Sequence, residues 1–335
     1  MQHGCLEVVH RPVWRLREIL VAATLLSGVA SLQAQEEFPN KPIRLILTNP
    51  VGGTVGLLAQ TIGEGLRAKT GQPVVVEPRP GANGNPALEA VIKSDPDGYT
   101  LLVAPAGPFT TNKLIISNTS YNPVTSLTPI SIPAKSPLVL VAHPQLPVRS
   151  VSELISFARA NPGKLSYSSQ GVGATGHLAM EMLKASAALD IVHITYPGSA
   201  QAMTDLLGGR IDLAFDNTAT SVPHIRSGAL RALAVAEPSR LASLPDVPTM
   251  VEAGVPDFVV TPWFGLAGPA GLQSYVLAKL SGAVVDTLSD PALKLRFAEA
   301  GVELRGSSPT EFADTIASET RRWSRVVEAA GIERR

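Results

Sequence analysis

The stretch that decides the fold is Ile43–Gln60, IRLILTNPVGGTVGLLAQ. Its first five residues are an apolar run typical of a buried strand, and a loop rich in proline and glycine follows them. Val55, Leu58 and Ile62 then recur at the spacing of an amphipathic helix. Such a loop presents backbone N–H groups at the positive end of a helix, which suits an anionic ligand. It carries no charged side chain, nucleophile or general base, so it favours binding over catalysis.

The same order of strand, loop and helix recurs along the chain. Helical patterns alternate with further predicted strands at 73–77, 99–104, 138–142, 164–168, 191–196, 211–215 and 230–236. Ser150 and Glu153 form a capping box that predicts a helix over 151–160. Because strands and helices alternate, we expect an α/β fold of mostly parallel sheets flanked by helices.

The pattern predicts two α/β domains, one of them inserted into the other. A change of unit is expected near Pro137, and residues 262–266 lead the chain back to the first unit. Residues 36–138 and 262–335 then form a discontinuous first domain, and residues 139–261 form the second.

Composition excludes several classes of function. The chain has 335 residues, of which 45% are hydrophobic and 17% charged, and its formal net charge is zero. There is no basic excess to bind nucleic acid. The single cysteine, Cys5, lies in the N-terminal segment, so the rest of the chain has no disulfide and no thiolate site for a metal or for catalysis.

Residues 1–34 have the layout of a cleavable secretory signal peptide. Arg11, Arg15 and Arg17 precede an apolar run at 19–32, and small residues follow near Ala34. The run is short for a membrane span. An N-terminal anchor helix is the alternative; export to the periplasm is the prediction.

A second glycine loop, GVGATG at 171–176, matches the G-x-G-x-x-G dinucleotide fingerprint. Dinucleotide-binding proteins place an acidic residue about 20 positions later, at the end of a strand, where it hydrogen-bonds the ribose; this chain has none there. Nucleotide binding therefore stays open as a minor hypothesis. Neither a nucleophile elbow nor a metal-ligand spacing is present. A hydrolase using Ser169 with His177 is the remaining enzymatic alternative, and neither a catalytic residue nor a metal or other cofactor is expected.

The motifs taken together resemble one family of bacterial receptors. They are FPNKPIRLI, the PVGG loop, EPRPGANGN, DPDGYTLL, SPLVLVAHPQLPVRSVSELI, NPGKLSYSSQGVGATGHLA, ITYPGSAQAMTDLLGGRIDLAFDN and LRALAVAEPSRLASLPDVPTMVEAG. They are similar to the tripartite tricarboxylate transporter solute-binding receptors, also called the Bug family. The resemblance covers residues 36–335 and implies a type II-like periplasmic binding protein of two domains joined by a two-strand hinge.

The resemblance also implies the site, in which a small carboxylate lies in the cleft between the domains. The first loop and the second loop hold one carboxylate, and segments that face the cleft in the family add further contacts. The expected ligand-binding residues are Pro50, Val51, Gly52, Gly53, Thr54, Ala106, Gly107, Ser169, Gly171, Gly173, Ala174, Thr175, Tyr196 and Asp216.

The chain departs from the family pattern at three positions. Gly56 stands where the family usually has aspartate, Gln60 stands in place of arginine, and Pro197 replaces lysine. The cleft thereby loses a carboxylate, so a ligand that carries an amine is less favoured than a simple organic acid. We expect a monomeric receptor that delivers its ligand to a membrane permease of this transporter class. A ligand sensor without a permease is the alternative.

Overall fold

The computed structural model describes residues 1, 3–4, 38–51, 53–81, 84–117, 119, 121–329 and 331–334. These residues fall into two compact units, 1–40 and 41–335, and every helix and strand described below lies in the second unit. Nearly all of the predicted signal peptide, including Cys5, lies outside the described residues.

A six-stranded sheet is built from both ends of the second unit. Its strands are β1 (Ile43–Leu47), β2 (Val74–Pro78), β3 (Thr100–Pro105), β4 (Leu127–Lys135), β10 (Trp263–Pro269) and β11 (Glu303–Leu304), in the spatial order β11-β4-β10-β3-β1-β2. The strand β1 spans the predicted residues, and all but one of them are buried. We call this sheet and its helices the first lobe.

A five-stranded sheet is built from the middle of the chain. Its strands are β5 (Leu138–Ala142), β6 (Ser166–Ser169), β7 (Val192–Thr195), β8 (Leu213–Asn217) and β9 (Arg231–Val235), in the spatial order β7-β6-β8-β5-β9. We call this sheet and its helices the second lobe. The strand β5 is buried at every position, as its uninterrupted apolar sequence predicts.

Helices cover both sheets. In chain order they are α1 (Thr54–Thr70), α2 (Asn85–Ile92), α3 (Asn112–Ile115), α4 (Pro123–Ser126), α5 (Val151–Ala160), α6 (Thr175–Ala187), α7 (Ser199–Leu207), α8 (Thr218–Arg226), α9 (Ser274–Leu288), α10 (Pro291–Glu299) and α11 (Pro309–Ala329). None of these helices combines the length and apolarity that a membrane span requires.

The predicted α/β fold is confirmed, with one correction to its sheets. Both sheets are mixed rather than mostly parallel: β1 pairs in parallel with β2 and β3, whereas β10 runs antiparallel to β3 and β4. In the second lobe, β5 likewise runs antiparallel to β8 and β9. The cause is that β4, β5 and β10 carry the chain between the two sheets and therefore run against the strands of the βα units.

The chain crosses between the two sheets at two adjacent places. The first crossing is Ser136–Pro137, between β4 and β5, and the second ends at Pro262. The N–H group of Ser136 donates to the carbonyl oxygen of Pro262 at 3.0 Å, so the two crossings lie side by side. The domain boundaries predicted at 138/139 and 261/262 fall beside these crossings, and they stay a proposal.

The last helix, α11, packs on both lobes. Phe312 and Ile316, in its first half, are buried in the core of the first lobe beside Phe109. Trp323, in its second half, is buried in the core of the second lobe beside Leu178. The helix therefore spans the side of the molecule where the two crossings lie.

The capping box of α5 gives a test of the fold. The Ser150 hydroxyl accepts from the Glu153 N–H group at 3.1 Å. Replacing Ser150 with alanine leaves that N–H group without its acceptor and should lower the free energy of unfolding by about 1 kcal/mol. Urea denaturation measures this, with Ser152→Ala, an exposed serine in the same helix, as the control. Equal losses in the two variants would contradict the assigned cap.

Candidate ligand-binding site

A cavity of about 500 Å³ lies between the two lobes, at the carboxyl ends of β1, β3, β6 and β8. The residues that line it come from loops that follow these strands and from the first turns of helices. They include Thr48, Asn49, Gly53, Thr54, Gly107, Asn112, Gln170, Gly171, Gly173, Ala174, Thr175, Gly176, Tyr196, Ser199 and Asn217.

Six of the described helices begin at this cavity without a side-chain cap. They are α1, α2, α3, α6, α7 and α8, whose N-cap residues are Gly53, Gly84, Thr111, Ala174, Gly198 and Asn217. The first-turn N–H groups of a helix have no acceptor within the helix itself. The cavity is therefore surrounded by the positive ends of helices, several of which offer N–H donors that a ligand can use.

Most helices that begin elsewhere are capped. Side-chain oxygens of Asn122, Ser150, Asp290 and Ser308 accept from first-turn N–H groups of α4, α5, α10 and α11. The helix α9 is an exception, since it begins away from the cavity and its N-cap, Gln273, makes no such bond. The contrast indicates that the donors at the cavity are left for another partner.

No ionisable aspartate, glutamate, lysine, arginine or histidine side chain is among the described residues that line the cavity. An anion held here is bound by backbone and neutral polar groups. Hydrogen bonds to a charged acceptor are roughly twice as strong as neutral ones, so such a set can hold a carboxylate without arginine.

The first loop is shaped by two glycines. Gly53 has φ of +91° and ψ of −173°, a backbone conformation that is almost restricted to glycine. At Gly56, an added Cβ would lie 1.6 Å from the carbonyl oxygen of Val51. The loop thus folds back onto the first turn of α1 and occupies the space of a side chain. This contact gives a physical reason for the glycine at position 56.

The amides of the second loop are mostly satisfied within the second lobe. The N–H group of Gly171 donates to the Ser169 hydroxyl at 3.2 Å, and that of Gly173 donates to Nδ1 of His177 at 3.3 Å. The Ala174 N–H group donates to the carbonyl oxygen of Gly171. The donors that remain are those of the first turn of α6, at Thr175 and Gly176.

The structure brings most of the predicted site residues together. Gly53, Thr54, Gly107, Gly171, Gly173, Ala174, Thr175 and Tyr196 line the cavity. Pro50, Val51, Ala106, Ser169 and Asp216 do not line it, and Gly52 lies outside the described residues. Pro50 still lies across the cleft from the second lobe, since its ring is 3.5 Å from the Cβ position of Gly198.

Asp216 lies behind the wall of the cavity. Its side chain is buried and accepts from Ser221 at 2.9 Å, from Thr220, and from the side-chain amide of Gln170 at 3.4 Å. Burial raises the pKa of this carboxyl, and hydrogen bonds from Thr220, Ser221 and Ser199 oppose the rise. Because Gln170 and Ser199 line the cavity, Asp216 positions the wall rather than contacting a ligand.

Gln170 and Ser199 are residues that the sequence analysis did not single out as ligand contacts. The side-chain amide of Gln170 donates to the Ser199 hydroxyl at 3.1 Å. The position of Gln170 directly before the second loop was the available signal. Thr48, Asn49 and Asn112 were also missed as lining residues, because polar residues that follow strands are common in loops of every kind.

Tyr196 lines the cavity, and its hydroxyl is hydrogen-bonded to a residue outside the cavity. The hydroxyl donates to Asp205 at 2.7 Å, and Asp205 also accepts from Arg210. Burial, together with the Asp205 carboxylate, raises the pKa of Tyr196 to about 12. The phenol is therefore held in place by Asp205 and stays protonated at neutral pH.

Two polar atoms at the cavity have no partner in the described structure. The Thr54 hydroxyl and Oδ1 of Asn217 are buried and make no hydrogen bond. Buried polar atoms are rarely left unpaired in proteins. Both residues line the cavity, so these atoms are candidates for contact with a ligand or its waters.

The geometry does not support the hydrolase alternative. The Ser169 hydroxyl is 2.6 Å from Nε2 of His193, not paired with His177 as predicted, and Ser169 is only 1% exposed. His177 instead accepts the Gly173 N–H group. Among the residues that the structure describes, there is also no cluster of three or more histidine, cysteine or acidic side chains that could hold a metal.

Comparison with known proteins decides the family. Residues 58–332 match the model of the tripartite tricarboxylate transporter family receptor. The chain belongs to this receptor family. Protein BugT of Bordetella pertussis is 34% identical over 318 residues, which are 95% of this chain and 98% of BugT.

Solved structures agree with the family in fold. The chain is similar to R. palustris Rpa4515 with adipate, at 34% identity and a TM-score of 0.86 over 89% of this chain and all of that one. It is similar to the periplasmic binding protein BugD, at 32% and 0.85 over the same shares. It is also similar to MatC from Rhodopseudomonas palustris with bound malate, at 28% and 0.83 over 87% of this chain and all of that one. The family resemblance and the periplasmic binding protein fold are thus confirmed, and the family is one of receptors rather than enzymes.

Two glycine-to-alanine substitutions, one against the first loop and one in α9, should change the free energy of unfolding in opposite directions. Alanine favours a helix over glycine by up to about 1 kcal/mol. In Gly56→Ala the new methyl group meets the Val51 carbonyl, so unfolding free energy should fall by about 1–3 kcal/mol. In Gly282→Ala, within α9, the new methyl group meets nothing within 4 Å and stability should rise. Denaturant unfolding measures both; stabilisation by both changes would contradict the described loop.

Proposed function

We propose that this protein is a solute-binding receptor that captures a small organic acid, as its carboxylate, in the cavity between the lobes. The observation that carries the proposal is the set of uncapped helix N-termini around a cavity whose described lining residues include no charged side chain. A negative charge is the ligand property that this set recognises best. A ligand with a bare ammonium group would meet no carboxylate among the lining residues.

A carboxylate should be bound more tightly when the cleft is closed. Exclusion of water lowers the local dielectric constant and strengthens each hydrogen bond to a carboxylate. The first-turn amides of α1 lie in the first lobe and those of α6 and α7 in the second. A carboxylate that contacts both sets links the lobes, which is a common mode of ligand capture by hinged domains.

The relatives support the ligand class. Rpa4515 has been solved with adipate and MatC with malate, and both ligands are dicarboxylates. The cavity is within the size range of small-molecule sites. We therefore include dicarboxylates among the first compounds to test.

The proposal extends to location and partners. We infer a periplasmic protein that delivers its ligand to the membrane permease of a tripartite tricarboxylate-type transporter, because the family is one of receptors for such transporters. A role as a ligand sensor without a permease remains the alternative. Ligand uptake by cells that lack this protein distinguishes the two, since only a transport receptor is required for uptake.

A thermal-shift screen tests the ligand class. Mono-, di- and tricarboxylates, including adipate and malate, should be compared with their uncharged amides at the same concentration. A compound present at 100 times its dissociation constant stabilises a protein by about 2.7 kcal/mol, so a matching acid should raise the melting temperature by several degrees. The amides should have no effect. No shift with any acid, in a protein that melts cooperatively, would contradict the proposal.

A substitution at Gly53 tests the site. A valine side chain there would project toward Ser199 across the cavity and block approach to the first turn of α1. Gly53→Val should abolish the shift caused by acids. Gly71→Val is the control, because Gly71 also has a positive φ, of +71°, but lies at the far end of α1 with open space around it. Loss of ligand response in both variants would point to unfolding rather than to the site.

A further inference from the structure

His177 lies directly under the second glycine loop. It is the third residue of α6 and is 5% exposed. Its Nδ1 accepts the N–H group of Gly173 at 3.3 Å, so the side chain turns back to bind the loop that precedes its own helix. The imidazole nitrogen can do this only when it carries no proton.

Gly173, the residue that His177 holds by its N–H group, also contacts the first lobe through its carbonyl oxygen. The Thr111 hydroxyl donates to the carbonyl oxygen of Gly173 at 3.0 Å. Thr111 is 2% exposed, and a Cβ at Gly173 would lie 3.1 Å from Cδ1 of Ile115. The second loop is therefore seated against the first lobe at one side of the cavity, in a buried contact.

We propose that His177 is a positioning residue that makes ligand capture depend on pH, through its hold on Gly173. Neutral His177 fixes the loop so that its Gly173 carbonyl meets Thr111 and the first turn of α6 faces the cavity. A proton on Nδ1 removes the acceptor and places a donor against the Gly173 N–H group. The loop is then no longer held in place, and the lobes lose the hydrogen bond between Thr111 and Gly173 that helps to close the cavity. This inference rests on the proposed function.

The surroundings of His177 define which other groups share the titration. The ring of His193, on β7, lies 4.4 Å from that of His177, and the ring of Tyr167, on β6, stacks on His193 at 4.7 Å. Glu181 and Lys184, further along α6, form an ion pair at 2.7 Å, and Glu181 also accepts from the Tyr167 hydroxyl.

The neighbouring groups determine whether the neutral or the protonated form of His177 is favoured. A cation at the third position of a helix is opposed by the helix dipole, and a proton on His193 would oppose a second proton nearby. The Glu181 carboxylate acts in the other direction, since it attracts a proton on His177, but it is already engaged by Lys184 and Tyr167. Neutral His177 is thus the form that the fold supports, and acid disrupts the loop.

The test compares affinities at two pH values by calorimetry, with adipate or, if adipate does not bind, the acid that gives the largest thermal shift. Wild-type protein should bind roughly five- to tenfold more weakly at about pH 5 than at about pH 8, beyond the effect of ligand ionisation. In His177→Asn the amide oxygen can replace Nδ1 as acceptor and does not titrate, so the extra loss should vanish. His143→Asn is the control, since His143 likewise accepts a backbone N–H group, from Gln145, outside the cavity. That variant should behave as wild type, and a pH dependence that persists in His177→Asn would overturn the inference.

A second measurement needs neither ligand nor variant. In nuclear magnetic resonance spectra, the Gly173 amide signal should shift with the same midpoint as the His177 ring signals as the pH is lowered. Independent midpoints, or a Gly173 signal that does not change while His177 titrates, would overturn the role of His177. Coincident midpoints without binding of any acid would leave the loop contact established and refute the proposed function instead.

Discussion

The backbone N–H groups at the start of a helix have no acceptor within that helix. The site depends on whether a side chain of this protein accepts from them. Where a helix begins away from the cavity, a serine, asparagine or aspartate side chain usually accepts from the first turn, as at Ser150 and Asp290. Where α1, α6 and α7 meet the cavity, the N-cap residues are Gly53, Ala174 and Gly198, which have no such side chain. The same physical constraint yields stability at one set of helices and leaves N–H donors open around the cavity at the other.

Keeping these donors open requires that the loops be held by other means. The Val51 carbonyl fills the place of a side chain at Gly56. His177 accepts from the N–H group of Gly173, and Thr111 donates to its carbonyl oxygen. Asp216 is buried behind the wall and fixes Gln170 and Ser199 from there. Charged groups therefore support the cavity from outside it, while the described residues that line it include no aspartate, glutamate, lysine, arginine or histidine.

Much of the fold could be predicted because it depends on local patterns. The apolar run of β1 and the capping box of α5 each specify structure within a few residues, and both are confirmed. The antiparallel course of β10 could not be predicted, since it depends on how the chain returns from the second lobe. The site was likewise only partly predictable. The motifs located the loops, but the Gly173 N–H group is already bound to His177, so the donors open to a ligand lie in the first turn of α6 rather than in the loop. Hydrogen bonds within a loop have no signature in its sequence.

The most direct measurement is a crystal structure of the protein with the carboxylate that gives the largest thermal shift. The account predicts carboxylate oxygens within about 2.7–3.2 Å of first-turn N–H groups of α1 and α6, at Thr54 or Val55 and at Thr175 or Gly176. It predicts no lysine or arginine side chain in contact with them. A carboxylate bound by a cationic side chain, or one that displaces His177 from the Gly173 N–H group, would contradict it.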